Sequence, residues 1–250
     1  MTARTVLAGP DGVACATYVR GTRDGLPLAD RLRPRDGAAP HVVAAAAVDT
    51  FPGWLVAVHP GPLGDALLAA GATLRRHAHV MRLDLARVPP RPPAPAPPGV
   101  TVAALDPREL PAGLGEPNLA AYPAGHPDAR PGETAASALA ELQRIADGLV
   151  TGPLHPATRM AIGADASPLG AVFVNDRPAS GPWITDIFRR PGPATRGLGS
   201  LLLDHAVAAV RDVGGIQVGL AVTDGNPAQT LYVDRGFVVL ESALTLLLPG

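Results

Sequence analysis

The residues best suited to chemistry lie in the last third of the chain, between Trp183 and Phe237. A strand-like stretch ends in a loop that contains Gly197 and Gly199, and an amphipathic helix follows. The first turn of a helix has unpaired N–H groups and a partial positive charge, so it attracts anions. Glycine has no Cβ to keep a phosphate away, and Arg196 adds a phosphate-binding guanidinium. The pattern predicts a pyrophosphate site, although a loop that needs glycine only for its turn has the same residues.

Two common phosphate motifs do not match this loop. The P-loop requires a lysine, and this chain contains none. The dinucleotide motif G-x-G-x-x-G requires a third glycine where this chain has Leu202. A pyrophosphate held by backbone amides outside both motifs is what remains.

A second chemical signal follows the strand-like stretch Ile216 to Val222. Asn226 and Pro227 suit the N-cap and the first position of a short helix, which carries Tyr232. A phenol stays protonated at neutral pH and can give its proton to a leaving group. Tyr232 is therefore a candidate acid catalyst, and the alternative is a tyrosine that only packs beside Phe237.

These signals in this order resemble the acetyl-CoA-binding core of the GCN5-related N-acetyltransferase (GNAT) superfamily. The family's loop reads Gln/Arg-x-x-Gly-x-Gly/Ala, and it falls on Ala194 to Gly199 in this sequence. Both glycines match, whereas Ala194 stands where the family has Gln or Arg. The resemblance is clear over residues 184–237 and extends by element order to residues 100–250.

The resemblance implies an N-acetyltransferase that moves an acetyl group from acetyl-CoA to an amine acceptor. No cysteine lies in the motif region, so direct attack in a ternary complex is expected, with Tyr232 protonating the departing CoA. The implied contacts to acetyl-CoA are Phe188, Arg189, Thr195, Arg196, Gly197, Leu198, Gly199, Ser200 and Asn226. One alternative is an inactive CoA-binding sensor or structural protein of the same fold. Another is an enzyme that acts on a protein N-terminus or a lysine side chain.

The general base is less clear from the sequence. Asp186 lies in the strand beside the expected acyl site and is the candidate base. In a regular strand Asp186 and Thr185 point to opposite faces, and Asp186 could then face away from the cleft. His126 and Asp128 lie in a loop where this family often shapes its acceptor pocket, and deprotonation through water is a further alternative.

Composition excludes several classes of protein. Apolar residues make up 47% and charged residues 17%, which is typical of a folded globular chain, and the net charge of -1 argues against nucleic acid as a partner. The apolar runs are too short to span a bilayer, and no signal peptide is evident. Cys15 is the only cysteine. His77 and His79 alternate along one predicted strand, but no acidic residue or cysteine lies near them in the sequence at ligand spacing, so we predict no metal site. We expect a cytoplasmic monomer or homodimer.

The proline-rich segment 89–98 is the clearest boundary, because proline at this density favours an extended linker. We predict an N-terminal accessory domain at 1–88 and the acetyltransferase domain at 99–250. In the first domain we predict strands at Val42–Val48, Trp54–Val58 and Ala72–Leu85, with a helix at Leu63–Ala70. From Trp54 onward these elements follow the order strand, helix, strand along the chain. The same order is found late in the chain, which suggests a degenerate, partial GNAT-like duplicate.

For residues 99–250 we predict a mixed α/β domain around a single sheet, with the order β, α, α, β, β, β, α, β, α, β. The first helix is expected to start at Asp106 and Pro107, and residues 118–133 are expected to be loop-rich. The second helix is predicted at Ser137–Leu149 from its helical spacing of apolar residues. The strands are predicted at Val100–Ala104, Arg159–Gly163, Leu169–Asn175, Trp183–Phe188 and Ile216–Val222, with a closing segment at Phe237–Leu248.

Overall fold

The computed structural model describes residues 3–23, 25–178 and 180–250, and the chain divides into two compact units. Unit 1 contains the chain up to His79 together with Leu240–Gly250, and unit 2 contains Val80–Val239. Residues 80–98, which the sequence assigned to the first domain and the linker, therefore group with unit 2. Arg211 helps to hold them there, since its Nη1 donates a hydrogen bond of 2.7 Å to the carbonyl of Leu85.

The part of unit 1 that the structure describes contains two helices and a sheet. Its elements are β1 (Thr5–Ala8), β2 (Ala14–Arg23), β3 (Leu26–Pro34), α1 (Pro40–Thr50), β4 (Leu55–Val58), α2 (Pro62–Ala69) and the first part of β5 (Thr73–Asp84). Strands β1, β2 and β3 are antiparallel neighbours, and β3 pairs with β4 in parallel. The last residues of the chain's final strand, Leu244–Leu247, pair antiparallel with Leu55–Val58.

One predicted strand of unit 1 is wrong. Residues 42–48 lie inside helix α1, which buries Val43, Ala44, Ala46 and Ala47. A short, continuous apolar run has no period that separates strand from helix. The run of four alanines favours a helix, and Pro40 suits the first positions of a helix. These two features explain why the segment forms α1 rather than a strand. The strand predicted from Trp54 and the helix predicted from Leu63 are confirmed as β4 and α2.

Unit 2 contains the second half of β5 and most of the remaining elements. They are β6 (Val100–Ala104), α3 (Gly115–Ala121), α4 (Ala135–Ala146), β7 (Arg159–Gly163), β8 (Pro168–Arg177), β9 (Gly181–Arg189), α5 (Leu198–Asp212), β10 (Gln217–Thr223), α6 (Ala228–Asp234) and the start of β11 (Val238–Leu247). Strands β6 to β9 are consecutive antiparallel neighbours, and β10 joins β9 in parallel. The predicted element order and the mixed α/β class are confirmed.

The first helices of unit 2 differ from the prediction in position. Asp106 does not start a helix; its Oδ1 accepts a hydrogen bond of 2.9 Å from the backbone N–H of Arg108 and closes a turn. Helix α3 begins only at Gly115, so part of the segment predicted as loop is helical. Helix α4 begins two residues earlier than predicted, because Thr134 and Ser137 form a capping box at its start.

The sheet of unit 2 carries an apolar core on each face. On one face α5 packs Leu198, Leu202 and Leu203, among other buried residues, against β10 and neighbouring strands. On the other face Leu142 and Ile145 of α4 pack near Phe173 and Phe188. Strand β9 is therefore held from both sides, which fixes the side chains that it presents. Among the described residues, no helix is long and apolar enough to cross a membrane.

The order of elements in the first part of the chain repeats later. The series β1-β2-β3-α1-β4-α2-β5 has the same order as β7-β8-β9-α5-β10-α6-β11. In both series the third strand pairs in parallel with the fourth over only two residue pairs. The predicted repeat of strand, helix and strand is therefore part of a longer repeat of seven elements.

Candidate active site

Strands β9 and β10 open from one another near the middle of the unit 2 sheet. Their parallel pairing comprises two residue pairs, Gly219 with Trp183 and Leu220 with Ile184. Strand β9 continues to Arg189 and β10 to Thr223 without further pairing between them. Ala221 is exposed although its two neighbours in β10 are buried, as expected beside an opening. The backbone edges of both strands are therefore accessible to a bound molecule in the gap.

A β-bulge in β9 lies where the opening begins. Phe173 of β8 pairs with Asp186, but the next residue, Val174, pairs with Ile184, so Thr185 is the extra residue. The Thr185 hydroxyl donates a hydrogen bond of 2.7 Å to Asn175, which in turn is bonded to the α4 carbonyl of Ile145. Asp186 faces α3, which packs against α4. The expectation that Thr185 and Asp186 point to opposite faces is therefore wrong, because the bulge breaks the alternation.

Asp186 is held by two donors from the segment at α3. The Tyr122 hydroxyl donates a hydrogen bond of 2.6 Å to Oδ1, and Asn118 Nδ2 donates one of 2.9 Å to Oδ2. Burial raises the pKa of Asp186, and these hydrogen bonds offset the rise only in part. Burial and the charge of Asp186 raise the pKa of Tyr122 well above its ordinary value, so its hydroxyl remains a donor. A carboxylate with a raised pKa is suited to accept a proton near neutral pH.

The loop between α3 and α4 also reaches the β10 side of the opening. The Thr223 hydroxyl and Asn226 Nδ2 donate hydrogen bonds to the two carboxylate oxygens of Asp128, the second at 2.8 Å. Asn226 Oδ1 accepts from the N–H of Ala228 at 2.8 Å, which supports the start of α6. His126 lies in the same loop, and its ring meets that of Tyr122 edge-on, with centroids 5.2 Å apart.

Tyr232 is buried, with 5% of its surface exposed, and its ring lies 5.7 Å from that of Phe237. Packing therefore accounts for the ring but not for the hydroxyl. Within residues 3–23, 25–178 and 180–250 no hydrogen bond engages that hydroxyl, and it is not sealed from solvent. Burial, followed by the charges of Asp186 and Asp128, raises the pKa of Tyr232. Its phenol is thus protonated, close to both carboxylates and able to donate.

The glycine loop presents an open helix N-terminus. Gly197 has φ 81° directly before α5, a left-handed conformation that glycine adopts without strain. A Cβ added at Gly197 or Gly199 would meet nothing within 4 Å, so the space in front of the first turn is free. The turn has no acidic residue and no side-chain cap. Its N–H groups are available to an anion.

Two of the predicted contact residues stabilise this loop internally. The buried Thr195 hydroxyl donates to the carbonyl of Arg190 and accepts a hydrogen bond of 3.2 Å from Arg189 Nη1. Arg196, by contrast, is exposed next to the open turn, as is Ala194. The side chains of Thr195 and Arg189 therefore shape the loop, while the guanidinium of Arg196 is free to meet a ligand.

Comparison with known structures identifies the fold. Neither a protein-family model nor a curated protein matches the sequence. A GCN5-related N-acetyltransferase from Sphaerobacter thermophilus matches 98% of this chain and 80% of its own, with TM-score 0.64 and 19% identity. A second, from Kribbella flavida, matches 100% and 90%, with TM-score 0.55 and 17% identity. A tandem GNAT protein from the clavulanic acid biosynthesis pathway matches 94% and 79%, with TM-score 0.56 and 17% identity.

The chain has the GNAT fold. This confirms the fold that the sequence resemblance implied, and it extends over both units rather than residues 100–250 alone.

Within this GNAT fold, the predicted residues fall into two groups. Tyr232, Asp186 and Asn226 lie around the strand opening. Asp186 and Asp128 both act electrostatically on Tyr232, and Asp128 accepts a hydrogen bond from Asn226. The other group forms the end of β9 and the glycine loop. The Phe188 side chain packs on Phe173, with centroids 6.4 Å apart, so only its backbone is available to a ligand.

Sequence reasoning missed Tyr122 and Asn118, the two partners of Asp186. Asn118 is 1% exposed, and Tyr122 lies one residue beyond the end of α3. Because the segment was predicted to be loop-rich, nothing placed their side chains on the sheet. The available signal was a pair of polar side chains four residues apart, which one helical turn brings to the same face.

Proposed function

We propose that this protein is an N-acetyltransferase that moves an acetyl group from acetyl-CoA to an amine. The observation that carries the proposal is the Tyr232 hydroxyl, which is protonated and unengaged beside the opening between β9 and β10. A proton donor at this position serves an enzyme that releases a thiolate, whereas a tyrosine that only packs has no use for its hydroxyl there. The GNAT fold supports acyl transfer at the level of the fold.

We place the pyrophosphate of acetyl-CoA on the first turn of α5. The N–H groups of Leu198, Gly199 and Ser200 are directed to the open space there, and Arg196 adds a positive charge. The pantetheine arm then extends along the unpaired edge of β9, with hydrogen bonds to the backbone at Phe188 and Arg189. This places the thioester in the opening. Asn226 lies at its β10 side and contacts the arm while it supports α6.

In the proposed reaction Asp186 accepts one proton from the ammonium group of the acceptor. The neutral nitrogen attacks the thioester carbonyl, so that a C–N bond forms and the C–S bond breaks. Tyr232 gives its proton to the departing sulfur, and the second proton lost by the nitrogen restores the phenol through water. The products are the acetylated amine, CoA and one released proton. No covalent enzyme intermediate is required, in keeping with the single cysteine, Cys15, in β2.

We further propose that residues 1–88 are a degenerate copy of the GNAT core, joined through the linker 89–98 to the catalytic domain 99–250. The repeated element order supports this. The loop of the first copy ends at Pro40, which lacks an N–H and occupies the start of α1. That loop contains no Gly-x-Gly sequence, so the first copy lacks a phosphate cradle of the kind proposed at α5.

Two measurements separate this proposal from an inactive CoA-binding protein of the same fold. Calorimetry measures the affinity for acetyl-CoA, and mass spectrometry detects acetylated products from a panel of amines. We expect binding together with amine-dependent CoA release. Binding without any acetylated product would favour the inactive alternative, and the absence of binding would exclude both.

A further inference from the structure

The bulge in β9 decides which face of the sheet carries Asp186. If the ladder that precedes the bulge continued without an extra residue, Asp186 would lie opposite Val172. Val172 belongs to the apolar core on the α5 face of the sheet, where a carboxylate would be costly to bury. With Thr185 as the extra residue, Asp186 lies opposite Phe173, which belongs to the core on the α4 face. The position of the candidate base therefore depends on the bulge.

The side chain of Thr185 is held by Asn175 of β8. Its hydroxyl donates a hydrogen bond of 2.7 Å to Asn175 Oδ1. The Asn175 side chain is fully buried, and its Nδ2 donates to the carbonyl of Ile145 at 2.9 Å and to that of Gly152 at 2.8 Å. Because both of these acceptors are carbonyl oxygens, the amide nitrogen must face them and the amide oxygen must face Thr185. Asn175 therefore offers an acceptor of fixed orientation at the bulge.

The two carbonyls that orient Asn175 belong to closely packed backbone. Ile145 lies in the last turn of α4, where carbonyl oxygens are open to partners from outside the helix. Gly152 lies directly against β8, since a Cβ added there would clash with the carbonyl oxygen of Asp176. The acceptor for Thr185 is thus fixed to a framework formed by α4, the loop after it and β8.

We propose that Asn175 and Thr185 are positioning residues for Asp186. Their hydrogen bond keeps Thr185 as the extra residue of the bulge, and the bulge directs the carboxylate of Asp186 to Tyr122 and Asn118. The inference rests on the acetyltransferase function proposed above, and it names two residues that act on the base without contact with the reacting atoms. If the hydroxyl were lost, a buried acceptor on Asn175 would lack its donor, and the bulged register would become less stable relative to the regular one.

Two substitutions separate the hydroxyl of Thr185 from its shape. Thr185→Val keeps the branched side chain and removes the hydroxyl, whereas Thr185→Ser keeps the hydroxyl. We expect Thr185→Val to lower kcat/KM for an acetylated amine by about 10- to 100-fold, because the base is misplaced. The Kd for acetyl-CoA should change much less, and Thr185→Ser should retain most of the activity. Thr245→Val is the control for the loss of a buried strand hydroxyl, since Thr245 accepts a hydrogen bond of 2.9 Å from Arg23.

The titration of Asp186 gives a readout that a loss of stability alone does not change. The hydrogen bonds from Tyr122 and Asn118 lower the pKa of Asp186, against the larger rise caused by burial. Thr185→Val should weaken these bonds, so the pKa should rise. Because Asp186 acts in its ionised form, the acidic limb of kcat/KM should then move to higher pH. NMR of the Asp186 carboxyl carbon follows the same titration without turnover. The charged and titratable groups that act on Asp186 or on Tyr122 are the same in this variant: Arg130, Tyr232 and Asp128.

The inference is overturned if Asp186 titrates alike in Thr185→Val and in the unmodified protein. It is overturned as well if Thr185→Ser or Thr245→Val loses as much kcat/KM as Thr185→Val. Either result leaves the acetyltransferase proposal to the amine panel described above. A shifted titration in a protein that acetylates no amine would confirm that Thr185 and Asn175 position Asp186, and it would overturn the catalytic role of that carboxylate.

Discussion

Burial and position at the opening coincide in Tyr232 and Asp186. Burial favours the uncharged form of each, so the phenol keeps its proton and the carboxylate takes one up more readily. The sequence identified both residues by their place in a known pattern. It missed Tyr122 and Asn118, because a hydrogen bond across 64 or 68 residues leaves no local trace in a single sequence.

Replacing Tyr232 tests its role as proton donor. We expect Tyr232→Phe to lower kcat by about 100-fold or more, because the departing thiolate loses its acid. The affinity for acetyl-CoA, measured by calorimetry, should change little. Tyr18→Phe is the matched control, since Tyr18 is also buried and packs on Phe51 in unit 1. Equal kcat in Tyr232→Phe and the control would show that Tyr232 only packs.

Tyr122 controls the protonation of Asp186. Its hydrogen bond lowers the pKa of Asp186, against a larger rise caused by burial. Tyr122→Phe should therefore raise that pKa further. Since the active form has Asp186 ionised, activity falls as the pH drops through its pKa. We expect the acidic limb of kcat/KM to move to higher pH in Tyr122→Phe. A limb that stays in place would mean that another group accepts the proton.

At the scale of elements, the bulge in β9 and the two glycines at the start of α5, Gly197 and Gly199, shape the proposed site. The sequence predicted the glycine loop because residue types alone reveal an open helix start. It could not predict the bulge, because one extra residue in a strand depends on the register with β8. That bulge turns Asp186 toward α3 and coincides with the end of the β9–β10 pairing.

Gly199 gives a prediction with opposite effects on stability and binding. It lies inside α5, where alanine is favoured over glycine by about 0.5–1 kcal/mol. Gly199→Ala should therefore stabilise the protein in chemical denaturation. Its Cβ enters the space assigned to the pyrophosphate, so the Kd for acetyl-CoA should rise by about tenfold or more. Gly197→Ala should instead destabilise by about 1–2 kcal/mol, because φ there is positive.

If Gly199→Ala binds acetyl-CoA as tightly as the unmodified protein, the phosphate site lies elsewhere. A variant that is both less stable and weaker in binding would indicate distortion of α5 rather than loss of a cradle.

At the scale of the molecule, strand β11 links the two halves of the sequence. It starts in unit 2, and its later residues pair with β4 inside unit 1. Local sequence patterns predicted a closing strand but not its partner, because the pairing of Leu244 with Val58 joins distant parts of the chain. Leu240–Gly250 therefore group with unit 1, which the division at residue 88 expected from the prolines does not include.

Replacing Leu246 tests whether the end of β11 packs in unit 1. Its side chain is 0% exposed and belongs to the apolar core of unit 1. Leu246→Ala should cost about 2–5 kcal/mol of unfolding free energy, measured in denaturant. Leu240→Ala in the same strand should change it by less than about 0.5 kcal/mol, since Leu240 is 49% exposed. Similar losses in the two variants would contradict the placement of β11.

The most direct test of the proposed acetyltransferase site is a crystal structure with CoA bound. We expect the pyrophosphate on the amides of Leu198 to Ser200 and the pantetheine arm between β9 and β10. The sulfur should lie within hydrogen-bond reach of the Tyr232 hydroxyl. CoA bound away from this opening, or a sulfur directed away from Tyr232, would contradict the proposed function and mechanism.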